Sequence, residues 1–106
     1  MPLKFLAMLY PKPDRVERVE EITQSVCDYV KEHEPGVLQY QWFRAGNVEQ
    51  PTIIVWETYV DEAAVEAHKA SPKMAWLMEV SAKEDNMLAP LKVIPLDQFA
   101  GWESRE

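Results

Sequence analysis

Residues 3–10 read Leu-Lys-Phe-Leu-Ala-Met-Leu-Tyr, and at the two-residue period of a β-strand both faces are apolar. Leu3, Phe5, Ala7 and Leu9 fall on one face, and Leu6, Met8 and Tyr10 on the other. Such a strand needs apolar cover above and below, so it belongs to a sheet that is packed on both sides. The pattern recurs in residues 52–60, where Ile53, Val55, Glu57 and Tyr59 alternate with Ile54, Trp56 and Thr58. Residues 37–45 give another strand, with Leu38, Tyr40 and Trp42 on one face. Residues 91–96, "LKVIPL", give a fourth, and Pro95, which has no N–H to donate, places it at an edge or ends it early.

The segments between these strands have helical periodicity. Pro13 and Asp14 suit a helix start, and Val16, Val19, Ile22, Val26, Val30 and His33 recur every three or four residues until Pro35-Gly36. Asp61 suits the N-cap of a short helix running to about Lys69. Ser71 followed by Pro72 caps a second start, and that helix runs to about Lys83. The order β-α-β-β-α-β predicts an α+β, ferredoxin-like fold with an antiparallel sheet. Helices then cover one sheet face. The same face of a second copy is the simplest cover for the other, which predicts a homodimer with sheet packed on sheet.

The 106 residues make a single domain, 1–106, with 97–106 as a C-terminal extension. In that extension Phe99 and Trp102 are apolar anchors expected to dock at the dimer interface or a pocket mouth. A net charge of −7 argues against nucleic acid as a partner. No apolar run approaches the length of a membrane span, and the N-terminus lacks a signal-peptide cleavage site, so the expected location is cytoplasmic. Cys27 is the only cysteine and reads as a packing residue. There is no Gly-rich phosphate loop and no histidine pair at metal spacing, so no metal, flavin or haem is expected. Glu17, Glu20, Glu21, Glu32 and Glu34 read as a solvated helix face, and His33 as a complement to the helix dipole.

His68 stands apart. At helical spacing it shares a face with Ala64 and Val65, the face directed at the sheet. Imidazole is the best general acid or base near neutrality, although a histidine on an apolar face also serves simply as a satisfied core residue. Trp56, Tyr59 and Trp76 lie near it in sequence, with Tyr40 and Trp42 on the neighbouring strand. Aromatic walls with one or two polar groups describe a pocket for a flat, mostly apolar ligand.

Two segments, "EPGVLQYQWFR" and "PTIIVWETYVDEAAVEAHKASPKMAWL", resemble the antibiotic biosynthesis monooxygenase (ABM) family of dimeric α+β barrels. Pro35-Gly36 opening the second strand, Glu57-x-Tyr59 ending the third, His68 and Ser71-Pro72 carry the resemblance in order and spacing. It implies a homodimer, a pocket between sheet and helices in each protomer, and cofactor-free oxygenation of polycyclic phenols or quinols. The chain departs from the pattern at Lys73, where a second histidine is common. Where quinone-forming members surround the substrate with asparagine, tryptophan and tyrosine, the matching positions are Val55, Tyr59 and Val65. Near the positions used by haem-degrading relatives stand Ala7 or Met8, and Met78, which argues against haem degradation.

These observations give three alternatives. The first is a cofactor-independent monooxygenase for an aromatic polyketide-like phenol or quinol. His68 and Tyr59 would be its catalytic residues, and Trp56, Trp76, Tyr40 and Trp42 its substrate-binding walls. The second is a non-oxidative isomerase, cyclase or decarboxylase of a small carbonyl metabolite. The third is a small-molecule binding protein without turnover.

Overall fold

The computed structural model describes residues 2–105. Leu3–Pro11 forms β1, and a 3₁₀ turn at Pro13–Arg15 leads into α1, Val16–His33. Val37–Gly46 forms β2 and Pro51–Tyr59 forms β3. Glu62–Lys69 is α2, Pro72–Glu84 is α3 and Met87–Leu96 is β4. The strands form one antiparallel sheet in the order β2-β3-β1-β4, the ferredoxin-like topology expected from the element order.

The local signals act as their chemistry requires. The Asp61 carboxylate accepts from the Ala64 N–H at 2.9 Å, and the Ser71 hydroxyl accepts from the Met74 N–H at 3.1 Å. Each satisfies one of the donors that the first helical turn leaves unpaired, a contribution of about 1 kcal/mol. β4 is an edge strand, as Pro95 implied, but it begins at Met87 rather than 91. Pro90 looks like a strand breaker in the sequence. An edge strand has one unpaired side, where a missing N–H forfeits no ladder bond. On β2 the register shifts between Val37 and Gln39, so Leu38 does not share the face of Tyr40 and Trp42 and lies exposed.

Alternation divides the sheet into two faces. Ala7, Leu9, Ile53 and Val55 are buried with Val19 of α1 in one core cluster. Ile22, Val26 and Val30 of α1 meet Leu77 of α3 in a second. The opposite sheet face carries Leu6 in register with Trp56 and Ile94, and Met8 in register with Ile54. Phe43 continues this row on β2. No helix covers this face within one chain, and Trp56 is 40% exposed there. The segment after Leu96 forms no regular element through residue 105. Within one chain its two anchors do not dock: Phe99 is 98% exposed, and Trp102 is exposed with the Arg105 guanidinium 5.2 Å from its ring.

Candidate functional site

A cavity of about 940 Å³ lies between the helix-facing side of the sheet and helices α2 and α3. Ala7, Val55, Tyr40 and Trp42 wall it from the sheet, and Val65, Met74 and Leu77 from the helices. Glu57, Tyr59 and His68 gather where β3 ends and α2 passes over it, and Lys69, Ser71, Ser81 and Asp85 also line the cavity. The rest of the lining is mostly apolar, so a ligand would be held by an apolar body and oriented at one polar end.

His68 reaches this position because of a close approach between two segments. The Val60 N–H donates to the Gly36 carbonyl at 2.8 Å, tying the start of the α2 connection to the Pro35-Gly36 turn. A Cβ at Gly36 would stand 2.7 Å from the Cβ of Ala64, so only glycine lets α2 lie this near. The same approach brings Glu34, on the α1–β2 connection, against α2. Its carboxylate oxygen Oε1 is 2.7 Å from Nδ1 of His68, and both side chains are buried. A carboxylate only accepts, so in the neutral ring the proton of this pair sits on Nδ1 and Nε2 carries the lone pair. Among the described residues Nε2 has no hydrogen-bond partner, and the ring lines the cavity. The other oxygen of Glu34, Oε2, is buried without a partner among the described residues.

Aromatic rings fix the imidazole from two sides. Tyr40 and Tyr59 each meet it edge-to-face with centroids 5.5 Å away, and Phe5 meets Tyr59 in the same way at 5.7 Å. The Tyr59 hydroxyl donates to Oε1 of Glu57 at 2.5 Å. Burial pushes the Glu57 carboxyl above the usual carboxylate range, against the opposing effects of the Tyr59 hydrogen bond and the nearby His68. Burial also raises the Tyr59 and Tyr40 phenols, assisted by the Glu57 charge, so both stay protonated near neutrality. The indole N–H of Trp42 is buried at the wall without a partner among the described residues.

The structure thus brings together His68, Tyr59, Tyr40 and Trp42. It does not bring Trp56 and Trp76 to the cavity, contrary to their expected role as walls. Trp56 alternates with Val55 and Glu57 and therefore points to the uncovered sheet face. Trp76 packs against the α1–α3 cluster, with the Lys73 ammonium 3.9 Å from its ring centroid. Lys73 also donates to the Ser25 hydroxyl at 2.6 Å, so the departure from the family's second histidine is occupied by a contact between α3 and α1. His33 is exposed against the Tyr29 ring, and burial raises the Cys27 thiol to about 11, which suits packing and not nucleophilic chemistry.

Two site residues do not follow from the sequence pattern. Glu34 is not part of a solvated face: α1 ends at His33, and the backbone of Glu34 leaves the helix at φ −125°, which turns its side chain inward. Helical spacing cannot show this, and the adjoining Pro35-Gly36 was the available signal. Glu57 alternates with apolar neighbours on an inward face, and a carboxylate in such a place is itself a signal of function.

Several solved proteins share this architecture. A Caulobacter crescentus protein provisionally named an antibiotic biosynthesis monooxygenase is 23% identical, with a TM-score of 0.81 over 93% of this chain and 91% of that one. Rv0793 from Mycobacterium tuberculosis is 16% identical, with a TM-score of 0.81 over 97% of this chain and 100% of its own. A conserved Methanosarcina mazei protein is 15% identical, with a TM-score of 0.80 over 93% and 94%. At these identities the likeness is one of fold. No curated protein matches the chain at a significant level. The sequence profile of antibiotic biosynthesis monooxygenases matches residues 2–79, a span that holds Glu34, Glu57, Tyr59 and His68 together with the turns that assemble them, and the chain belongs to that family.

Proposed function

We propose that this protein is a cofactor-independent monooxygenase for a small, neutral, electron-rich aromatic substrate, with His68 as its base. The observation that carries this reading is the 2.7 Å contact between Glu34 and Nδ1 of His68, which leaves Nε2 free at the wall of a mostly apolar cavity. Nε2 removes a proton from a phenol or from an activated C–H. The electron-rich anion passes one electron to O₂, and the radical pair collapses to a peroxide. Loss of water then yields a carbonyl, so one oxygen atom enters the product and the other leaves as water. Glu34 stabilises the imidazolium and holds the ring in place, Tyr59 and Tyr40 flank it, and Trp42 walls the cavity.

The functional unit in this proposal is a homodimer. Support comes from the row Leu6, Met8, Ile54, Trp56, Phe43 and Ile94, an apolar sheet face without cover in one chain. The exposed anchors Phe99 and Trp102 dock on the partner in the same proposal.

Oxygen uptake and product analysis with anthrones and hydroquinones test the reaction. One O₂ consumed per quinone formed, with uptake lost in His68→Ala, is the expected result. Substrate turnover without O₂ consumption would instead place the protein among non-oxidative isomerases, cyclases or decarboxylases. Binding without turnover would make it a carrier.

A further inference from the structure

The base does not account for the second carboxyl at the polar end of the cavity. Glu57 projects from β3 into the same chamber as His68, and it is buried among apolar neighbours. Its Oε1 is held by the Tyr59 hydroxyl at 2.5 Å. Its Oε2 has no partner among the described residues and is not sealed off from the cavity. A carboxyl fixed through one oxygen and open through the other presents a proton at a defined place. Tyr59 links the two groups: its hydroxyl holds Glu57 while its ring packs edge-to-face on His68 at 5.5 Å. A carboxyl held in place by an ion pair would face a Lys or Arg, and among the described residues none pairs with Glu57. Lys69 is the only Lys or Arg among the lining residues, and its ammonium lies 3.8 Å from Glu66 on an exposed side chain.

We propose that Glu57 is the proton donor of this cavity, acting opposite His68, and that the pair interconverts the keto and enol forms of a neutral ketone. The inference rests on His68 being the base of this site, and it does not require O₂. His68 Nε2 takes a proton from the carbon next to the carbonyl. The C–H electron pair becomes the new C=C bond, and the carbonyl π pair takes the proton from Oε2 of Glu57. The enol leaves behind an imidazolium and a carboxylate, which attract each other and so lower the cost of separating charge in a dry cavity. Reversal returns the protons, and exchange with water in between replaces the hydrogen on carbon.

Burial favours the protonated form of Glu57 that this role needs. The titratable groups facing it are Tyr59 on its own strand, Tyr40 on β2, His68 on α2 and Glu34 beyond the ring. The same geometry selects the substrate. An acid or phosphate ester would bring its negative charge to a buried end whose one lysine, Lys69, is directed to Glu66 at the surface, so the ligand is a neutral ketone or enol.

The test uses the full-length protein with 2-tetralone, a neutral bicyclic ketone with an acidic C–H next to its carbonyl. Exchange of that hydrogen in anaerobic D₂O is followed by NMR. The wild-type protein is expected to accelerate exchange. Glu57→Gln keeps the acceptor for Tyr59 but has no transferable proton, and it should slow exchange by about 10²-fold or more. Its Kd for 2-tetralone, read from tryptophan fluorescence, should stay within about threefold, because the lost proton acts only in the transition state. Glu57→Asp, which retains a carboxyl, should recover part of the rate. The decline of the wild-type rate at high pH, as Glu57 ionises, should be absent from the residual activity of Glu57→Gln. No exchange by the wild-type protein, or an unchanged rate in Glu57→Gln, overturns the proposal. So does an equal loss in Glu57→Gln and Glu57→Asp accompanied by weaker binding, which marks a structural role. Exchange without O₂ uptake on any aromatic substrate would refute the oxygenase and leave this inference standing, and uptake without exchange would do the reverse.

Discussion

Oε1 of Glu34 lies 2.7 Å from Nδ1 of His68, although the two residues are 34 positions apart in the chain. Neither belongs to the other's element: one follows the end of α1, and the other sits in the last turn of α2. Their contact holds one nitrogen of the ring and leaves the other without a hydrogen-bond partner among the described residues. A histidine without such a partner on this apolar face would be a ring of undetermined tautomer.

Removing the ring should therefore remove proton chemistry. His68→Ala is expected to lower turnover by about 10²–10⁴-fold, with the assembly intact by light scattering. Glu34→Gln, which keeps the shape but loses the charge that stabilises the imidazolium, should give a smaller loss in kcat with little change in KM. His68→Gln with lost stability and undiminished turnover per folded molecule would make His68 a core residue and leave Tyr59 as the polar candidate.

Gly36→Ala tests how the pair is assembled. The added methyl would stand 2.7 Å from the Cβ of Ala64 and 3.3 Å from Cγ1 of Val60, so α2 must move away from the turn. The expected result is a lower Tm together with a loss of turnover in the direction of Glu34→Gln. Retention of both would show that the His68–Glu34 contact does not depend on this approach.

Glu57 gives stability a pH dependence of known sign. Its carboxyl is raised above the ordinary 4.5 by burial, so the fold prefers it protonated. The stability it contributes is fully present below the unfolded value and is lost as pH rises through the folded value. Glu57→Gln should therefore resemble the wild type in Tm near pH 4 and exceed it increasingly as pH rises from there, with the gap levelling off above the folded value. A constant difference across this range would mean that Glu57 is not held in its neutral form.

The uncovered sheet face makes a prediction about assembly. Sedimentation should give about twice 12.3 kDa at micromolar concentration. Trp56→Glu, which places a charge in the centre of the apolar row, should shift the protein toward monomer. Deleting residues 98–106 should weaken the dimer or lower its Tm, because Phe99 and Trp102 have no docking site within one chain. A wild-type monomer would refute sheet-on-sheet packing, and an unchanged dimerisation constant after truncation would detach the tail from the interface.

What the sequence by itself determined was local in origin. The alternation of residues 3–10 and 52–60, the helical spacing from Val16 to Val30, and the caps at Asp61 and Ser71 fix each element and its apolar faces through contacts within a few residues. Their order then leaves few topologies, and the observed β2-β3-β1-β4 sheet is one of these. The inward positions of His68, Tyr59, Tyr40 and Trp42 were legible because helical spacing and strand alternation place them on these faces. Trp56 and Trp76 were equally near in sequence, yet strand alternation sends one to the far side of the sheet, and packing between α1 and α3 takes the other. Only the tertiary structure decided that Glu34 turns inward to His68 and that Glu57 meets the hydroxyl of Tyr59 in the same chamber. Those relationships depend on how closely separate elements approach one another, which the backbone at Gly36 permits and which no periodicity within a single element records.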